Sequence, residues 1–141
     1  MNTAAYIKPL PVADIDTKAF WAGCKEHKLL VPKCTECGRY VFPPGPMCPE
    51  CQSTTFENEE VEGKGVIFDW IIANYSPHPE FAGDVPYAVI LVELDEPKRI
   101  IFCGNIKECK NEDIYAGMPV EVVFDDVTPE VTLPQWKPVK K

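Results

Sequence analysis

Cys34-Thr35-Glu36-Cys37-Gly38 and Cys48-Pro49-Glu50-Cys51-Gln52 are the two stretches on which the reading of this chain turns. Two thiols separated by two residues can grip one edge of a tetrahedron from a single turn, and four thiolates suit a structural zinc ion. Gly38 can take the positive φ that curls such a turn and aims backbone N–H groups at the sulfurs. Gln52 stands in the equivalent place after the second pair. Residues 32–55 are dense in Cys, Pro and Gly and carry no apolar period of their own. A metal contributing on the order of 10 kcal/mol of folding free energy would take the place of the missing core. Because four protein ligands close the coordination sphere, the expected Zn2+ is structural and has no hydrolytic role. Iron in a rubredoxin-like site and a pair of disulfides are the chemical alternatives.

On the N-terminal side, residues 5–16 mix prolines and acids with small residues, which predicts an extended arm on a surface, suited to binding a partner. From 17 to 30 the pattern is helical: Asp14, Asp16 or Thr17 can cap the start, and Phe20, Trp21, Cys24 and Lys28 recur at helical spacings. On the C-terminal side, strand-like runs at 65–75, 87–94, 100–106, 120–127 and 131–136 are separated by Gly, Pro, Asn and Asp. Five such runs predict a small barrel or a sandwich. Val120, Val122 and Phe124 alternate onto one face, whereas Ile71-Ile72 and Val89-Ile90-Leu91-Val92 are continuous and expected to be central. A helical turn is expected at 112–116 and a loose tail from Lys137 onward.

The chain has 141 residues, 45% hydrophobic and 26% charged, as in a folded domain. It has no apolar run near the roughly 20 residues that a membrane span needs. Its seven cysteines are odd in number, and no secretory signal is evident, so a reducing, cytoplasmic address is expected. A net charge of −8 opposes phosphate-driven nucleic-acid binding. The cations Lys98, Arg99, Lys107 and Lys110 are interspersed with acids. Cys24, Cys103 and Cys109 are the remaining thiols, and a reactive cysteine needs a base or cation beside it. His27 follows Cys24 by three residues, His78 lies between two prolines, and Cys103 reads as a small core residue. No acid/base pair stands out, so no catalytic residue is assigned.

Further residues fall into an ordered set: Phe20-Trp21, Leu29-Leu30, the first Cys pair with Gly38, Phe42-Pro43-Pro44, then Cys48-Pro49 and Cys51. Gly63 and Gly65, Pro86-Tyr87, Glu93-Leu94-Asp95-Glu96 and Leu133-Pro134 follow. The set resembles the acyl-CoA-associated family, formerly of unknown function, that joins an N-terminal helix and a rubredoxin-like zinc ribbon to a C-terminal OB-fold. The resemblance implies a mainly β fold: an arm and helix over 1–31, a zinc ribbon over 32–60 and a five-stranded OB-fold barrel over 61–141. It implies a non-catalytic accessory subunit of an acyl-CoA-processing complex. The partner would be a thiolase-like catalytic subunit in a hetero-oligomer, a thiolase-type acyltransferase whose acyl-CoA site this chain helps to form or shield. From charge alone, Lys98 and Arg99 are candidate contacts to a CoA thioester. Phe20, Trp21, Tyr40, Phe42 and Trp136 are candidate interface anchors. Two departures stand out: Gly45-Pro46 follows the double proline where many relatives have Arg, and Gln52 replaces Gly. The alternatives are a single-stranded nucleic-acid-binding module, which would stack bases on aromatics, and a stand-alone thioesterase-like enzyme using Cys103 or Cys109.

Overall fold

The computed structural model describes residues 6–139. The expected helix is short, α1 (Lys18–Lys25). Before it, the Asp14 carboxylate accepts the Asp16 and Thr17 backbone N–H groups at 2.9 Å each, and the Thr17 N–H in particular holds that carboxyl below its ordinary range. After it, His27 enters the left-handed region at φ 60. The Lys28 N–H then reaches back to the Gly23 carbonyl at 2.8 Å and the His27 N–H to that of Cys24 at 2.9 Å. Those two bonds form a Schellman stop, so the helix expected to run to Leu30 ends five residues early. The chain reverses directly into β1 (Leu29–Cys34), which pairs antiparallel with β2 (Phe56–Val61). Neither strand was expected: β1 contains Pro32, and β2, Phe-Glu-Asn-Glu-Glu-Val, has little to bury.

The remaining strands are β3 (Lys64–Ala73), β4 (Tyr87–Leu94), β5 (Ile101–Gly104), β6 (Pro119–Asp126) and β7 (Thr132–Pro138). They form one antiparallel sheet in the order β5-β4-β3-β6-β7. The sheet curls until the segment after β5 meets β7 in parallel at Ile106 and Trp136. There the Trp136 N–H donates to the Asn105 carbonyl at 3.1 Å. β3 and β6 share only three residue pairs, so this is the partly open barrel of an OB-fold. Glycines make the bend. A Cβ on Gly65 would lie 2.2 Å from the Glu93 carbonyl oxygen, and Gly63, at φ +74, would meet Val122.

Ile67, Ile90, Val92, Leu94, Phe102, Val120 and Trp136 fill the barrel, and Leu29 and Val31 of β1 and Phe20 of α1 join the same core. A chain of rings crosses this boundary: Phe20 to Phe42 at 5.4 Å, Phe42 to Phe102 at 4.1 Å and Phe102 to Trp136 at 5.9 Å. Phe20 and Trp136, read above as interface anchors, are thus core residues, and Trp21, Tyr40 and Phe42 are half-buried against them. His27 ties the helix end to the barrel. Its Nε2 lies 3.0 Å from both Asp126 oxygens, and its ring stacks on Phe124. The Thr132 hydroxyl, and after it His27, hold the Asp126 carboxyl below its usual range.

Three expectations fail for one reason, strand alternation. A bulge at Phe68 shifts the β3 register, so that Ile67 opposes Val92 but Asp69 opposes Leu91. Beyond it Ile71 points outward and is 65% exposed, where a central position was expected. Along β4 only Ile90 and Val92 of the apolar run are buried, and Val89 and Leu91 are half-exposed on the outer side. Cys103 opposes Leu91 and is exposed, not a core residue. The turn expected at 112–116 is a short 3-10 turn at Asn111–Asp113. The loose tail expected from Lys137 is not found over 137–139, because Lys137 and Pro138 pair with Glu121 and Val120 and the Val139 N–H donates to the Pro119 carbonyl at 3.1 Å; Lys140 and Lys141 lie outside the described residues. Among the described residues no helix is long and apolar enough to cross a membrane.

Candidate functional site

β1 delivers Cys34 at its last residue, and the loops between β1 and β2 carry Cys37, Cys48 and Cys51. The four sulfurs converge within 4.8 Å of one another. Cys34 and Cys51 Sγ are 3.5 Å apart, and Cys37 and Cys48 Sγ 3.6 Å. Zn–S bonds of about 2.3 Å at tetrahedral angles set sulfurs about 3.8 Å apart, so the donor set and its spacing fit a four-coordinate ion.

The two halves of the site match. The Gly38 N–H donates to the Cys34 carbonyl at 3.0 Å and the Gln52 N–H to that of Cys48 at 2.9 Å. Gly38 and Gln52 both take positive φ, 79 and 62, so Gln52 accepts the conformation that glycine adopts more readily. Backbone N–H groups do reach the sulfurs. The Cys37 amide foremost lowers the Cys34 thiol to about 6 and the Cys51 amide lowers Cys48, whereas at Cys37 and Cys51 the Arg39 and Ser53 amides are outweighed by burial and the neighbouring sulfurs, which raise Cys37 and push Cys51 up to about 12. Amides that stabilise thiolate prepare a site for a cation. Arg39 and Glu50, one from each half, form an ion pair at 2.9 Å. The hydroxyls of Thr35, Thr55 and Ser53 form a hydrogen-bonded chain, Thr35 to Thr55 at 2.7 Å and Thr55 to Ser53 at 3.0 Å. Spacing alone did not disclose these braces, although Arg39 and Glu50 each sit beside a ligand pair.

The other singled-out residues do not converge. Lys98 and Arg99 are exposed in the β4–β5 turn, where the Arg99 N–H donates to Glu93 Oε2 at 3.3 Å. Cys24 is fully buried, and burial pushes its thiol up to about 12. Burial and Asp113 raise Cys109, whose Sγ faces the Lys110 carbonyl. Neither imidazole serves Cys103 or Cys109: His27 is on Asp126, and His78 Nδ1 is 2.6 Å from Glu80.

Two family models cover most of the chain, the rubredoxin-like zinc ribbon domain of ChsH2 over residues 21–57 and its C-terminal OB-fold domain over 58–125. Over 106 residues the chain is 38% identical to a DUF35 domain-containing scaffold protein of Methanocaldococcus jannaschii, covering 74% of this chain and 73% of that protein. The chain belongs to the DUF35 family. A chain of the solved structure described as the Ltp2-ChsH2(DUF35) aldolase superposes with a TM-score of 0.82 at 34% identity, covering 91% of this chain and 98% of that one. A probable enoyl-CoA hydratase alpha subunit of Thermomonospora curvata is 34% identical over 132 residues. That match takes in 94% of this DUF35 chain, which spans only 40% of the hydratase subunit's length.

Proposed function

We propose that this DUF35 protein is a non-catalytic scaffold subunit of an acyl-CoA-processing complex. In this reading Cys34, Cys37, Cys48 and Cys51 hold one structural Zn2+, and the ribbon and barrel together present a rigid surface to a catalytic chain. One observation carries the reading: nearly the whole of this chain matches, at 34% identity, nearly the whole of a chain in an aldolase assembly whose description names a DUF35 protein. The relatives named as scaffold proteins and as a hydratase subunit support it. So does the chemistry of the free thiols: both imidazoles are engaged by carboxylates, and burial raises Cys24 and Cys109, against the thiolate that a nucleophile requires.

The partner we propose is a thiolase-fold enzyme in the cytoplasm. The scaffold closes one side of its acyl-CoA site, and Lys98 and Arg99 in their exposed turn are offered to the CoA phosphates. The test is reconstitution. A tagged chain is purified from its native cell, retained enzymes are identified by mass spectrometry, and their turnover of acetoacetyl-CoA and longer acyl-CoAs is assayed with and without the chain. Copurification of a thiolase-fold enzyme whose activity falls when the chain is withdrawn is the expected result. Thioester hydrolysis by the isolated chain, abolished by Cys103→Ser, would replace this reading with the enzymatic one.

A further inference from the structure

The outer face of the β3-β4-β5 sheet is apolar and uncovered. Phe68 is 57% exposed, Ile71 65% and Ile101 38%, values that a packed sheet face does not show. Val89, Leu91 and Cys103 fill the space between them, because Ile71 opposes Val89, and Leu91 opposes Cys103. A shallow cavity of about 210 Å³ opens here between β3 and β4, lined by Asp69, Trp70, Ile71, Val89 and Leu91. Two carboxylates stand in this field. Asp69 opposes Leu91 and Glu93 opposes Ile101, which puts them diagonally across β3 and β4 on one face, their backbones roughly 7–8 Å apart. Neither forms an ion pair among the described residues.

We infer that this face is the docking surface for the catalytic partner, and that the partner meets it with an apolar centre flanked by lysine or arginine side chains. The inference rests on the scaffold reading and adds to it the face and its chemistry. β4 and β5 are the second and third strands of the barrel, the face on which OB-folds generally take their ligands. Nucleic acid would require stacking rings beside cations, and here the exposed Phe68 ring stands among aliphatic side chains and the Asp69 and Glu93 carboxylates. A second copy is disfavoured as well. Face-to-face pairing would bring four carboxylates together out of water, in a chain whose net charge is already −8. A protein carrying complementary cations satisfies both the apolar area and the acids.

Cys103 supplies a native footprint, since it lies on β5 at the border of the face, opposite Leu91, and is exposed. The complex of the full chain with the acyl-CoA enzyme it copurifies with is pulsed with iodoacetamide, and alkylation at Cys103 is followed by peptide mass spectrometry. Complex formation is expected to slow that alkylation by at least about tenfold, and Ile71→Asp and Asp69→Lys are each expected to weaken binding by about tenfold or more. Both variants should keep the zinc content and melting curve of the parent, since both side chains point outward. A complex in which Cys103 reacts at the free rate and both variants bind normally would overturn the choice of face and leave the scaffold reading standing. Retention of no acyl-CoA enzyme would remove both. An isolated chain that sediments as a dimer with Cys103 protected would overturn the heterologous partner.

Discussion

Two glycine-like positions show how single residues set this fold. Gln52 adopts φ 62 where Gly38, its counterpart, adopts 79, so the second knuckle forms without glycine because the Cys48 carbonyl and the ligand pair hold the turn. Gly65 is the opposite case, since the missing side chain is itself required. At the bend of β3 the backbone of Glu93 comes so close that a methyl group would overlap its carbonyl. Backbone cannot yield as a flexible side chain can. Gly65→Ala is therefore expected to lower stability by about 1–3 kcal/mol, read as a fall in the urea midpoint. Gly83→Ala, where a Cβ meets nothing within 4 Å, is the control and should lie within about 0.5 kcal/mol of the parent. Equal midpoints for the two variants would mean that β3 and β4 do not approach as described.

Among the elements, the ribbon is the one that the proposed zinc would hold. Among the described residues its own apolar cluster is Cys34, Val41 and Cys48, with Phe56 packed against it, and two of those are themselves members of the sulfur site. Chelation at neutral pH is expected to release one zinc per chain and expose the amides of residues 34–55 to hydrogen exchange, while β3 to β7 keep their protection. Full protection of the ribbon in metal-free protein would show that hydrogen bonds alone hold it. The sulfur site was legible in the sequence because ligand spacing is local, and the five barrel runs were legible because turn residues punctuate them. The β1–β2 pair was not. Glu57, Asn58, Glu59 and Glu60 offer no apolar alternation, and their strand exists because β1 lies opposite them in register, a tertiary fact that propensity cannot supply. The inside-or-outside error at Ile71 has a similar origin, since one bulged residue reverses every face beyond it.

For the whole molecule, the question is whether ribbon and barrel unfold together. The Phe20, Phe42, Phe102 and Trp136 rings run without a break from α1 through the ribbon loop to β5 and β7. Periodicity could identify these residues as aromatic but could not say that they meet, because their partners lie 22 to 60 residues apart in the chain. Such a seam makes the barrel carry part of the cost of ordering the ribbon, and the zinc proposed at the four cysteines would in turn hold Phe42 against Phe102. Removing the central ring should uncouple the two. In zinc-loaded protein, Phe42→Ala is expected to lower stability by roughly 2 kcal/mol, less than for a fully buried ring because Phe42 is half-exposed. It should also split a single calorimetric transition into two, a ribbon transition that shifts with zinc concentration and a barrel transition that does not. Outward-facing Tyr75→Ala, at 80% exposure, should leave one transition. A single zinc-dependent transition persisting in Phe42→Ala would mean that the β1 contacts of Leu29 and Val31 with the barrel core carry the coupling without the aromatic seam.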